Sequence, residues 1–266
     1  MANPSAAPWG LGAHAPADSR YVLSLVILYG MLAACASVGV VMVLRYDLHD
    51  REPWPLLAVA CALGAGLMWL AGGVQGWLIW GAVDHAPRLL GAWYFSLLAG
   101  VTEEAAKLLA VLLIVLAFRR HFNDPLDGIV YGSMAGLGAA IEESIWVMGF
   151  PTNMPYLPAT EPIRLAGHRV MGGIAGWGLG LAACGRRART VLTCWLLAVA
   201  MHVAWDYVAF ESAATASARG GHPLPWQTLG AMGIMGAGLL LYKGLLDRAA
   251  ALSRASLAGN SRTLTP

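Results

Sequence analysis

Charge is scarce in this chain. Only 12% of its 266 residues are Asp, Glu, Lys or Arg, about half the ~25% carried by ordinary soluble domains. Hydrophobic residues make up 58%, which places the chain among integral membrane proteins. Cysteine is sparse too: Cys35, Cys61, Cys184 and Cys194 each stand alone in an apolar run, with no C-x-x-C pair. That spacing excludes a disulfide framework or a zinc ribbon and leaves four reduced packing residues. There is no basic tract, the formal net charge is +2, and no phosphate-binding G-x-x-x-x-G-K-[ST] loop occurs. Nucleic acid is therefore not an expected partner. The first twenty residues lack the basic start and cleavage site of a secretory leader, so no cleaved signal is expected.

What is abundant is long apolar sequence. Seven runs reach the ~20 residues that cross a bilayer core as a helix: 21–44, 55–80, 89–118, 126–150, 163–184, 191–210 and 226–246. The fold class expected is all-α, a polytopic membrane bundle of about seven helices. Residues 1–20 form a polar N-terminal segment, 21–246 the membrane domain, and 247–266 a cytoplasmic tail. Basic residues set the orientation. With the N-terminus outside, Arg45, Arg51, Arg119, Arg120, Arg186, Arg187, Arg189, Lys243, Arg248, Arg254 and Arg262 lie inside. Only Arg20, Arg88, Arg164 and Arg219 lie outside. The bias predicts N-out, C-in and a multi-pass protein of the cell membrane.

The few charges that do occur fall where they are costly. Glu103, Glu104 and Lys107 stand mid-way along the third run, and one ionisable group at the bilayer centre costs about 2.5–3.5 kcal/mol. The i,i+4 spacing pairs Glu103 with Lys107 as a structural ion pair and leaves Glu104 freer, although Lys107 also reaches Glu104 at i,i+3. Glu142 and Glu143 lie in the fourth run, His168 and Arg169 in the fifth, and His202 and Asp206 in the sixth. At about 1.5 Å per residue, Glu143 lies about 10 Å below the outer surface, His168 slightly less and His202 about 12 Å, with Glu103 and Glu104 near the midplane. Four helices thus deliver a carboxylate or an imidazole to one depth.

Glycine spacing says which faces meet. Gly128, Gly132 and Gly136 repeat at four residues in the fourth run, with Glu143 further along that face. Gly172, Gly176 and Gly180 repeat in the fifth, with His168 one step before them. Small-x-x-x-small faces bring helices close in lipid, so antiparallel packing of these two would join Glu143 to His168. Taken singly, each feature has a plainer reading as packing or as a satisfied core histidine. It is their coincidence that points to a site.

No Ser or Cys sits beside a His as a nucleophile would. Carboxylate and imidazole without a nucleophile fit water activation, with Glu as general base and His or a metal stabilising an oxyanion. Two His with one or two Glu also make an acceptable zinc set with an open position, though H-E-x-x-H is absent. A proton- or ion-coupled transporter using the same carboxylates is the other class open. Such proteins more often show repeats and broken helices, and none is visible here.

The E-E-x-x-K of Glu103, Glu104 and Lys107 resembles the first motif of the PrsW family of intramembrane proteases, relatives of the CAAX prenyl and bacteriocin-processing membrane proteases. Residues 124–144 resemble its second block, with Ala139 and Ser144 where F-x-x-x-E-N has Phe and Asn around Glu143. F-x-x-x-H matches Arg164 to His168, with Arg in the Phe position, and H-x-x-x-D matches His202 to Asp206. These motifs span residues 89–210. The resemblance implies hydrolysis of a membrane-anchored protein near the extracytoplasmic side, as in family members that cleave anti-sigma factors. It implies Glu103 or Glu104 as the base, with Glu143 and His168 holding water or metal. His202, oriented by Asp206, would donate to the oxyanion. A metal, if used, is expected to be zinc on Glu143, His168 and His202.

Overall fold

The computed structural model describes residues 52–85, 90–149, 161–185, 188–218 and 225–262, with scattered positions between 26 and 41. The run at 21–44 expected as the first span lies largely outside the described residues. Six helices are described and no strand: α1 (Trp54–His85), α2 (Ala92–Ala117), α3 (Pro125–Gly149), α4 (Glu161–Ala183), α5 (Arg189–Ala218) and α6 (Pro225–Arg262). Parts of α1, α5 and α6, Trp54–Val83, Arg189–Ser212 and Leu229–Arg254, are long and apolar enough to cross a membrane. The other three carry the buried Glu103, Glu104, Lys107, Asp127, His168 and Arg169. Large apolar side chains face outward throughout, among them Trp69, Leu116 and Leu240, the inverse of a water-soluble surface. Trp77, Trp80, Trp93 and Trp146 are exposed at one end of the bundle, as amphipathic rings are at a membrane interface.

α3 is the central helix because both its faces are small. Every residue from 125 to 140 is buried. On one face, a Cβ at Gly128, Gly132 or Gly136 would strike the carbonyl oxygen of Gly176, Gly172 or His168 on α4. On the other, Gly138 meets the Cys61 carbonyl of α1, and Gly64 of α1 meets that of Ala135. The expected glycine seam is thus the antiparallel α3–α4 contact. α1 packs on α3, α3 on α4, α4 on α5, α5 on α2 and α2 back on α1, which closes a ring, with α6 laid against α3, α4 and α5. Gly185, with φ at +77°, turns the chain out of α4 in a conformation only glycine adopts cheaply.

At the opposite end of the bundle, where Trp54 is also exposed, Glu52 accepts a hydrogen bond from Tyr131, and Asp127 accepts from the backbone N–H groups of Asn123 and Asp124 at 2.8 and 2.9 Å. α6 continues well beyond residue 246. Ala249 and Ala250 are buried, and Ser253 donates to Asp124 at 2.7 Å, so the first part of the expected tail is a docked helix.

Candidate active site

Two close approaches assemble the site. The α3–α4 seam carries Glu143 to His168, whose Nε2 lies 3.0 Å from Glu143 Oε2. Gly100 does the same for α2 and α5: a Cβ there would lie 2.6 Å from Val203 Cγ2 and 3.3 Å from Val203 N. One turn further on, Glu103 and Glu104 reach His202. Because α5 also packs on α4, the His168 and His202 rings meet edge to face, with centroids 5.2 Å apart. All the residues expected from the sequence, Glu103, Glu104, Lys107, Glu143, His168, His202 and Asp206, belong to this one connected cluster.

The two adjacent glutamates have different environments, since one residue rotates the side chain by about 100° around a helix. Glu104 is fully buried. Its Oε1 pairs with Lys107 Nζ and lies 2.7 Å from His202 Nδ1. The i,i+4 expectation is therefore corrected: Lys107 takes Glu104 at i,i+3, because that carboxylate faces the α4–α5 side. Lys107 Nζ is also 3.3 Å from His168 Nδ1. Glu103 turns towards α1, where Gln75 Nε2 is 3.3 Å from its Oε1. Its Oε2 faces His202 Nε2 at 3.6 Å, is buried, and has no hydrogen bond. Asp206 Oδ2 stands 3.4 Å from the same nitrogen. The shorter contact that orients His202 thus comes from Glu104 rather than Asp206, because Asp206, one turn along the same helix, reaches only the nitrogen that faces Glu103.

Glu143 is the outermost carboxylate, its side chain 30% exposed against 8% for Glu103 and 0% for Glu104. Arg164 pairs with it and donates to Ser144, so two of the three departures from the family pattern touch each other. Arg164 had no role in the sequence reading, and neither had Gln75. Arg164 lies one helical turn before His168, a spacing that places it on the same face. A neutral glutamine in an apolar run carries no comparable signal.

Glu103, His168 and His202 each offer one ligand atom within 4.8 Å of the others. Nitrogen and carboxylate donors suit zinc, and ligand atoms around a tetrahedral ion with ~2.0–2.1 Å bonds stand ~3.3–3.4 Å apart, close to the Glu103–His202 separation. Glu103 Oε2 is buried without a hydrogen bond, as are Glu104 Oε2 and Glu143 Oε2, and of these three carboxylates only Glu103 belongs to the set. On these observations the residues fit a metal. The carboxylate of this set is Glu103 rather than Glu143.

A family model described as PrsW family intramembrane metalloprotease matches residues 52–235. The chain belongs to the PrsW family. Protease PrsW of Bacillus subtilis (strain 168) is 26% identical to it over 161 residues, 58% of this chain and 70% of that protein. No solved structure matches. The protein is accordingly a peptidase, an intramembrane endopeptidase acting on a membrane protein, and the transporter alternative is not favoured. The residues matched by the PrsW family model include the buried charges of α2, Glu103, Glu104 and Lys107.

Proposed function

We propose that this PrsW-family enzyme hydrolyses a peptide bond of a single-span, membrane-anchored protein close to the extracytoplasmic face of the cell membrane, an anti-sigma-factor-like protein being the class the family resemblance favours. In this reading the chain crosses the membrane seven times, N-out and C-in, and the tryptophan-bearing end of the bundle faces outward. The basic residues at the opposite end, such as Arg119, Arg120 and Arg189, support that orientation.

One observation carries the chemistry: α2, α4 and α5 bring Glu103, His168 and His202 to one buried point, and Glu103 Oε2 meets it without a hydrogen bond. Glu103 is the carboxylate facing the reacting water, whose proton it accepts at Oε2. Glu104, neutralised by Lys107, is not the base; it accepts the Nδ1–H of His202 and so aims Nε2 at the reacting atoms. Glu143, held by Arg164, stands 3.0 Å from His168 Nε2 and flanks that ring. Asp206 adds a second carboxylate at His202 Nε2. Glu103, His168 and His202 are the residues that would hold a zinc ion, which would supply Lewis-acid polarisation and a more acidic water; Oε2 taken up as a ligand would then no longer be the proton acceptor.

The test is cleavage of a tagged single-span reporter by the purified protein, alongside its zinc content before and after chelation. Cleavage lost on chelation and restored by zinc is the expected result. Cleavage that persists in zinc-free protein would refute the metal, and no cleavage of any single-span protein by zinc-loaded protein would refute the substrate class.

A further inference from the structure

Resting on the reading of Glu103 as the water-facing carboxylate, we propose that Gln75 on α1 is a positioning residue for the hydrolysis. It fixes Glu103 by hydrogen-bonding Oε1, so that Oε2 alone is presented to the reacting atoms.

The hydrogen-bond chain sets the direction of the amide. Thr102 donates its hydroxyl proton to the Leu98 carbonyl at 2.7 Å, so its oxygen is left to accept. Gln75 Nε2 lies 2.8 Å from that oxygen and 3.3 Å from Glu103 Oε1. An amide nitrogen has two protons and no lone pair to offer, and both neighbours are acceptors, so the two protons are assigned one to each. Gln75 thereby ties Glu103 both to α1 and to its own helix one residue back. The other oxygen, Oε2, is buried and has no hydrogen bond.

The choice of side chain matters as much as the contact. Lys107 neutralises Glu104, whereas the partner α1 gives Glu103 is an uncharged amide. An amide fixes the carboxylate without cancelling its charge, which a proton acceptor or a metal ligand must keep. Outer partners of this kind orient the groups that do the chemistry, and removing one typically costs 10–100-fold in activity or metal affinity. They are also how a site on one helix is held to the ~1 Å tolerance that catalysis needs. Among its described residues α1 contributes no group to the Glu103, His168 and His202 set, and on this reading it acts through Glu103.

The experiment uses the full-length protein with Gln75→Met, which keeps the length and apolar compatibility of the side chain, and with Gln75→Glu, which sets an acceptor against an acceptor. Two quantities are read per folded molecule: kcat and KM on a single-span reporter, and affinity for zinc added to chelator-stripped protein against a competing chromophoric chelator. Positioning predicts a kcat lower by about 10–100-fold with KM within about twofold, and zinc affinity lowered over a similar range. Gln75→Glu should lose at least as much as Gln75→Met. A merely structural glutamine would lower the yield of folded protein and leave kcat and zinc affinity per folded molecule unchanged; that result overturns the proposal. If the wild-type protein takes up no zinc, the zinc reading fails, and kcat alone decides the role of Gln75. If Gln75→Met is fully active while Glu103→Gln is dead, the positioning role falls and the reading of Glu103 stands.

Discussion

Glu104 Oε1 lies 2.7 Å from His202 Nδ1, and that oxygen also pairs with Lys107. One buried carboxylate therefore ties α2 to α5 and neutralises a lysine in the middle of α2. Its neighbour Glu103 has its Oε1 against the neutral Gln75 instead, at 3.3 Å, and the second oxygen of each glutamate is buried without a hydrogen bond. The difference between the two lies in that partner: the Lys107 ammonium for Glu104, an uncharged amide for Glu103.

Lys107→Met should leave Glu104 charged and fully buried without its cation. Breaking a buried pair from one side costs about 3–5 kcal/mol. Unfolding in mixed micelles should show a loss of that size, and the double variant Glu104→Gln with Lys107→Met should recover much of it. Additive losses in the double-mutant cycle would mean that the pair is not coupled.

The glycine seam makes a sharper demand. A side chain at Gly132 would meet the Gly172 carbonyl, and one at Gly176 would meet that of Gly128, so the backbones themselves must separate. Displacement of Glu143 and His168 by about 1 Å can cost a hundredfold in rate. Gly132→Leu and Gly176→Leu should therefore be inactive even where the protein inserts and accumulates. Gly73→Leu points into open space and should be close to wild type in the same assay. Normal cleavage by the seam variants would show that the contact is not needed.

Orientation is checked by labelling. A cysteine introduced within residues 151–160 should react with an impermeant thiol reagent added to intact cells, and one within 186–189 should not. The opposite pattern would place the catalytic cluster in the cytoplasmic half.

Much of this site was legible in the sequence because its signals are expensive or periodic. Charge in an apolar run marks Glu103, Glu104, His168 and His202, and a four-residue glycine period marks the α3–α4 seam. Neither signal reports which way a side chain turns. Whether Lys107 takes Glu103 or Glu104 depends on which flank of α2 is covered by α4 and α5, and that is a tertiary fact. Arg164 carries the charge signal but not its purpose, since an arginine near a helix end is as often snorkelling as paired. Gln75 carries no charge, belongs to no period and acts across 28 residues. The Glu52–Tyr131 bond spans 79 residues, beyond any local pattern. The extension of α6 past residue 246 was missed because small alanines, not large apolar residues, bury its far end.

The account depends most on Glu103 being the carboxylate that faces the reacting water. The direct measurement is single-turnover cleavage of a single-span reporter by purified Glu103→Gln, Glu104→Gln and wild-type proteins at equal folded concentration. Glu103→Gln should slow cleavage by about a hundredfold or more while still binding the reporter. Glu104→Gln should be impaired less, through the His202 it orients. Cleavage at the wild-type rate by Glu103→Gln would contradict the account.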